Sequence, residues 1–438
     1  MSSSDAPKKE KMGIRHIMFV VTCCVMMATC TGMWFNAAGI FYNTVSADMG
    51  VGLGQFSLYI TLSYVATTVF LPFAGRMLER FEARTLYSIG TILMFASFVI
   101  MAAAQNIWMF YIAGVLSAGM VAFNLYLLPV LIGRWFKARV GFVVGLSSAF
   151  SGIGAALWNP MGTAIMTAMG WRAAYLTFGI ITLVALLPLV FFFVRSTPEE
   201  VGIKPYGIAL SAGSATTQAG TEKLTGADYG KVMKSPAFIL FCLMGVCGPL
   251  IAMINMYLPS YAQTIGFAAM IGATMASASM IGNLIGKIAF GAVSDKSTTA
   301  AVLCGAAAPL IGIVIMMSLG ATSEIFVLAA SFIFGMCNGN AVVILPLVVR
   351  RSIGDKDYAR VWANISPICA LFAGVGATLW GFVFDATKSY DTVFIIGIVL
   401  CILLVLFYFG AIKFAKRIPH TSEVVDAKGH PMSEAANA

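Results

Sequence analysis

Charge is what this chain has least of. Lys, Arg, Asp and Glu together make up 10% of its 438 residues, while 60% are hydrophobic and the mean hydropathy is +0.90. A soluble protein carries about a quarter charged residues, so this chain lacks the polar material to coat a surface facing water. Secreted enzymes, nucleic-acid binders and disordered regulators are excluded on that ground. Metal-ligand spacing is also missing: the nine cysteines (Cys23, Cys24, Cys30, Cys242, Cys247, Cys304, Cys337, Cys369 and Cys401) all lie inside apolar stretches with no histidine nearby. They read as small buried apolar side chains. No cofactor is expected, and no His, Cys or carboxylate constellation is available for catalysis.

What is present is a series of apolar blocks long enough for a hydrocarbon core of about 30 Å. They fall at 17–42, 54–78, 85–104, 107–131, 140–166, 173–194, 236–262, 268–293, 300–319, 324–349, 359–383 and 391–413. Outer-membrane barrels, whose strands show only ~10-residue alternating segments, are excluded. The start, MSSSDAPKKEKMGIRH, is polar and basic, and the apolar run behind it exceeds the core of a signal peptide. Residues 1–16 are expected as a tail, 17–194 and 236–413 as two six-helix bundles, 195–235 as a polar linker and 414–438 as a second tail. The formal charge of +9 is topological in origin. With the N-terminus inside, 24 of the 27 Lys and Arg residues are cytoplasmic, the exceptions being Arg172, Lys388 and Lys287. Both termini are therefore expected in the cytoplasm, with the chain a multi-pass protein of the cell (plasma or inner) membrane.

The two halves repeat. Gly75, Glu79 and Arg80 recur as Gly291, Asp295 and Lys296, and Gly119, Met120 and Asn124 recur as Gly335, Met336 and Asn340, both at an offset of 216. Ala138, Arg139 and Val140, followed by GIGAALW ending at Trp158, recur as Ala359, Arg360 and Val361, followed by GVGATLW ending at Trp380. Shared order and near-constant offset imply duplication and a pseudo-symmetric bundle, as in secondary transporters.

Twelve helices with a central loop resemble the major facilitator superfamily, and the loop GRMLERFEAR is similar to that superfamily's signature of Gly, three residues, an acid, Arg and a later basic residue. Within the superfamily, RWFKARVGFVVGL, GWRAAYLTFG and RSTPEEVGIKP look most like the oxalate:formate antiporters and monocarboxylate porters. The resemblance implies an all-α fold of two six-helix bundles, transport of small carboxylates by alternating access, and gating roles for Glu79, Arg80 and Arg84, with Asp295 and Lys296 as their repeats. It also implies that a cation in the eighth helix, here Lys287, contacts the anion. The extra Lys in the eleventh helix that marks oxalate transport has no counterpart, since Trp362, Asn364 and Ser366 stand there.

Lys287 is the one ion in the interior of any span, and an ion at that depth is expensive by about 2.5–3.5 kcal/mol on the lenient insertion scale. It lies eight residues from Asp295, roughly 12 Å along the helix at ~1.5 Å per residue. Two readings are open: a lysine that sends its amine to the cytoplasmic edge or braces a gate, and a fixed charge that meets a substrate carboxylate. Ser279, Asn283 and Lys287 recur every four residues and form one polar stripe. Asn36, Asn124, Asn159, Asn255, Asn340 and Asn364 lie on other spans, either as interhelical glue or as the wet lining of a cavity. Phe35, Tyr64, Tyr126, Tyr257 and Trp362 are candidate apolar walls. Pro249, Pro259 and Pro367 are expected to bend their helices, and Gly141, Gly145, Gly152 and Gly154 in the fifth helix are expected to pack against Gly282, Gly286 and Gly291 in the eighth. GNLIGK, from Gly282 to Lys287, is one residue short of a P-loop and follows no strand, so ATP-driven transport is not supported.

The expectation is a monomeric secondary transporter for a small organic anion, as antiporter or proton-linked symporter, with a proton or counter-anion as co-substrate and the bilayer as its surroundings. No nucleic acid is a partner. Efflux of neutral or amphipathic compounds through a Met- and Phe-rich cavity is the alternative.

Overall fold

Hydrocarbon offers no partner for a peptide N–H or C=O, so a chain of this composition closes its backbone bonds within helices. The computed structural model describes residues 12–207, 222–339 and 343–425, without the side chains of Pro72, Glu79, Tyr126, 222–224 and 422–425. Helix occupies every expected span: α1 Ile14–Met49, α2 Leu53–Arg80, α3 Ala83–Ala102, α4 Ile107–Trp135, α5 Val140–Met169, α6 Trp171–Phe193, α7 Pro236–Thr264, α8 Ala269–Lys296, α9 Thr298–Thr322, α11 Tyr358–Thr387 and α12 Tyr390–Ala415, with α10 described in two pieces, Glu324–Gly335 and Leu345–Ile353. Among the described residues ten helices are long and apolar enough to cross a membrane; the two other expected spans fall on α2, which is 28 residues long, and on α10. Asn340 lies outside the described residues.

Local chemistry sets many of the ends. Asn106, Ser235, Ser297, Ser323 and Ser389 cap the helices that follow them by accepting a first-turn amide. Gly50 and Gly170 take φ of +64° and +83° where the chain reverses.

Among the described residues, four helices are irregular inside. α1 winds as a π-helix over Met27–Asn36 and as a 3₁₀ turn over Ala38–Phe41, and α4 carries a π-segment at Phe123–Leu127. α7 tightens to 3₁₀ at Ile254–Tyr257, and α10 breaks after Gly335. The two 3₁₀ turns lie 216 residues apart, the offset already seen in the side chains, so the repeat is written in the backbone as well.

Across the halves, α2 packs on α11, α5 on α8 and α1 on α7. The bonds joining them gather toward the end away from the linker, hereafter the far end. Tyr42 contacts Met256, Asn43 donates to Gln263 at 3.1 Å and to Ser260, Thr61 donates to the Gly374 carbonyl at 2.6 Å, and Ser277 donates to the Ala156 carbonyl at 3.0 Å. Among the described residues no ion pair joins the halves at the linker end.

The expected glycine seam is corrected in detail. On α5, Gly152 does face α8: a β-carbon there would lie 3.4 Å from the Met280 carbonyl oxygen. Gly154 instead meets Ala28 of α1, and Gly282 and Gly286 pack on backbone of Phe332 and Met336 of α10. Gly141 and Gly145, on the same face as Gly152, have nothing within 4 Å of an added β-carbon, and Gly291 has only Val343 at 4.0 Å. The seam is closed at the far end and splayed toward the linker.

The linker holds more structure than its composition suggests. Pro198–Val201 is a 3₁₀ turn, and Tyr206 bonds back to the α4–α5 loop through the Trp135 carbonyl and Lys137 amide. Strand β1, Glu222–Ala227, pairs antiparallel with β2, His420–Val425, from the C-terminal tail, with Thr225 opposite Ser422, and a short helix follows at Tyr229–Met233. These strands are the departure from an all-helical chain among the described residues.

Candidate functional site

The stripe of Ser279, Asn283 and Lys287 owes its direction to what its helix does on its other sides. Gly282 and Gly286 are closed against α10, while Ser277 and Met280 meet α5. Ile281, Ile285 and Ile288 are 48, 42 and 68% exposed and make the lipid-facing edge. At 3.6 residues per turn, Asn283 and Lys287 fall between the α5 and α10 contacts, on the side away from those isoleucines. Lys287 is partly buried, and among the described residues its amine meets no carboxylate and no hydrogen-bond acceptor. It lies ten residues, roughly 15 Å, from Ser277 toward the splayed end.

The asparagines of the spans divide into two groups. Asn283 Oδ1, and both amide atoms of Asn124 and Asn159, are buried with no hydrogen-bond partner among the described residues. Such atoms cost about 1–3 kcal/mol each if left unmet, which suits a lining that exchanges bonds with a solute. The other amides are committed to the protein. Ser279 donates to Asn255 Oδ1, and Asn255 Nδ2 reaches Cys337 Sγ at 4.0 Å, tying the break in α7 to α8 and α10. Asn36 donates to the Ser151 carbonyl at 3.2 Å, joining α1 to α5.

The aromatic candidates separate in space. Phe35 and Tyr64 lie together, with ring centroids 4.8 Å apart, beside the inter-half contact of Tyr64 with Gly374. Tyr257 is fully buried at the far end, donating to the Ala377 carbonyl with Tyr42 edge-on to it at 5.1 Å. Trp362 is partly buried and lies parallel to Tyr358, and Asn364 is exposed, donating to the Arg360 carbonyl at 2.7 Å and to Tyr229 Oη at 3.3 Å. These two belong to the linker-end mouth. Asn340 and the side chain of Tyr126 lie outside what is described. A separate groove of about 820 Å³ runs on the outer face between α2 and α4, lined by Leu62, Val69, Phe73, Trp108, Ile112 and Val115. It contains none of the stripe.

At the linker end Arg84 pairs with Glu82 in its own loop at 3.2 Å and lies over Phe191. Arg80 is exposed beside Phe70, Phe73 and Phe81, Lys296 closes the last turn of α8, and the side chain of Glu79 is not described. Asp295 meets Arg351 at 3.9 Å, and Arg351 also bonds the Ser294 carbonyl and, at 2.7 Å, Thr298. Arg351 was not singled out from sequence, because its half-repeat partner position holds Trp135 and offers no matching charge.

A family model of the Major Facilitator Superfamily matches residues 22–366, and the chain belongs to that superfamily. It is 21% identical to monocarboxylate transporter 12 of Mus musculus over 430 residues, 92% of this chain and 86% of that one. It is 25% identical to the MFS-type transporter hasB of Aspergillus fumigatus over 80% of this chain and 77% of that one, and 23% identical to the oxalate:formate antiporter of Oxalobacter formigenes over 42% and 44%. Among solved structures, a bacterial homolog of the human lysosomal transporter Spinster, inward-facing and unoccupied, superposes with a TM-score of 0.68 at 12% identity, covering 93% of this chain and 99% of that one. The nucleoside transporter NupG superposes at 0.70 and 9% identity, covering 90% and 99%. At these identities the likeness shows the fold. The chain is a membrane transporter, not an enzyme.

Proposed function

We propose that this transporter carries a small organic anion of the monocarboxylate class, with Lys287 as the charge that receives the carboxylate. The observation that carries the reading is a lone ammonium on the inner side of α8, turned away from lipid and matched by no acid among the described residues. An unmatched ion at that depth is retained where it has a polar solute to meet. Asn283 and Asn124 offer further donors and acceptors, and Phe35 with Tyr64 an apolar wall for the hydrocarbon part of the anion. The names of the relatives support the same class.

Transport proceeds by alternating access of two bundles, 17–194 and 236–413, rocking on the α5–α8 and α2–α11 seams. The present form, joined at the far end and splayed toward the linker, is open to the linker side. The lysine and arginine distribution supports a cytoplasmic location for that side and for both termini. With Lys287 the only Lys, Arg, His, Asp or Glu in the interior of the twelve apolar blocks, the co-substrate is either a counter-anion that replaces the substrate on the amine or a proton taken up with it.

The test is counterflow of labelled lactate in proteoliposomes, competed by acetate, oxalate and lactamide, for wild type and Lys287→Gln. The proposal expects saturable lactate counterflow blocked by acetate, indifferent to lactamide and at least tenfold slower in the variant. Equal competition by lactamide or by neutral amphipaths, or an unaffected variant, overturns it.

A further inference from the structure

The first turn of α2 presents two backbone N–H groups that its own half does not accept. Gly52, at the N-cap, has no side chain to offer. Asp385, near the C-terminal end of α11, supplies the cap instead: Leu53 N–H donates to Oδ1 at 3.0 Å and Gly54 N–H to Oδ2 at 2.8 Å. The partners are more than 330 residues apart and sit in different halves. Three glycines make the approach possible. A β-carbon on Gly52 would lie 2.3 Å from Asp385 Oδ2, one on Gly54 2.6 Å from Phe382, and one on Gly381 2.5 Å from Gly54 N.

The contact differs in kind from its neighbours. The other described bonds between the halves, from Tyr42, Asn43, Thr61 and Ser277, are between neutral groups. Here a carboxylate faces the positive end of a 28-residue helix, where aligned peptide dipoles and unmet N–H groups favour an anion. Helix termini lose this interaction within about one turn of separation. The attraction therefore acts only when the far end is shut, and it vanishes as soon as α2 and α11 part.

We propose that Asp385 is the latch of the far-end gate, a carboxylate on one half that holds the other by its helix terminus and sets how often that end opens. The latch rests on the alternating-access reading, but on no assumption about Lys287 or the substrate. The three glycines are its seat, since any side chain at Gly52 displaces the carboxylate.

The experiment is double electron–electron resonance on the full chain in nanodiscs. Nitroxides are placed on exposed far-end positions of the two halves through Gln105→Cys and Ala321→Cys, with the cysteines that are not buried, Cys242, Cys304 and Cys369, replaced by serine. Asp385→Asn removes the charge and one acceptor, and Gly52→Ala breaks the same contact while keeping Asp385. Both are expected to raise the long-distance, far-end-open population roughly two- to thirty-fold over wild type. Two populations whose ratio neither variant changes overturn the latch alone. A single short distance in wild type and both variants overturns the latch together with the two-ended transport reading.

Discussion

Gly145 offers a sharp test of whether the splayed seam is a moving part. An added β-carbon at Gly145 meets no atom within 4 Å, although Gly152, on the same face of α5, lies against α8. In a helix interior alanine is favoured over glycine by about 0.8–1 kcal/mol, and no clash offsets that here. Gly145→Ala should therefore stabilise the linker-open form by about 1 kcal/mol. Gly145→Trp should fold equally well, because its ring projects into open space. When the linker end closes, however, that ring would stand between α5 and the face of α8 that carries Gly291, and the bundles could not meet. The expected pair of results is an unchanged or raised thermal midpoint in detergent with counterflow reduced at least tenfold. Wild-type counterflow in Gly145→Trp would show that α5 and α8 never approach there, and loss of folding would show that the space is already filled. Gly152→Trp is the control, expected to fail in folding because α8 is already in contact.

Gly282→Ala places a β-carbon 1.9 Å from the Phe332 carbonyl oxygen, an overpacking expected to cost about 1–3 kcal/mol or more, whereas Gly291→Ala should be neutral or mildly stabilising; thermal midpoints of the two purified variants check the contrast. The linker strand is pinned to the tail through Asp228, whose carboxylate is held well below its usual range by Lys356 first, then by Lys231 and Thr421. A depressed carboxyl stabilises the folded contact fully above its unfolded value of about 3.9 and loses that contribution as pH falls through the folded value. Protection factors of β1 and β2, taken relative to the intrinsic exchange rate at each pH, should thus stay constant from pH 8 to 5 and fall only in stronger acid, while Asp228→Asn should lower them at pH 7; equal protection in that variant would contradict the pinning.

The fold was legible because hydrophobic block length and a repeated set of side chains both survive in a single sequence. The offset between Gly119 and Gly335 implies the duplication but not the two 3₁₀ turns, at Ala38–Phe41 and Ile254–Tyr257, which share that offset and which no propensity would suggest. Neighbour identity was not legible. Gly145 and Gly282 look alike as spaced small residues, yet one faces open space and the other the backbone of α10, because spacing gives a helix face but not what lies across from it. The polar stripe on α8 could be read from four-residue spacing, but its direction needed the exposed isoleucines. Asn255 and Tyr257 read from sequence as lining, and the structure gives both internal partners through an irregular turn of α7. Asp385 escaped notice because it lies just beyond an apolar block, and its partners are backbone amides that no side-chain pattern announces. Strand β1, EKLTGA, lacks apolar alternation and takes its form from pairing with the tail.

The most direct measurement of the central claim is the binding of lactate to purified protein by isothermal titration, comparing wild type, Lys287→Arg and Lys287→Gln. A hydrogen bond to a charged group is worth about 1.5–3 kcal/mol, so the account predicts roughly 10- to 150-fold weaker binding in Lys287→Gln with a smaller loss in Lys287→Arg. Identical affinities in all three proteins, with each one folded, would contradict it.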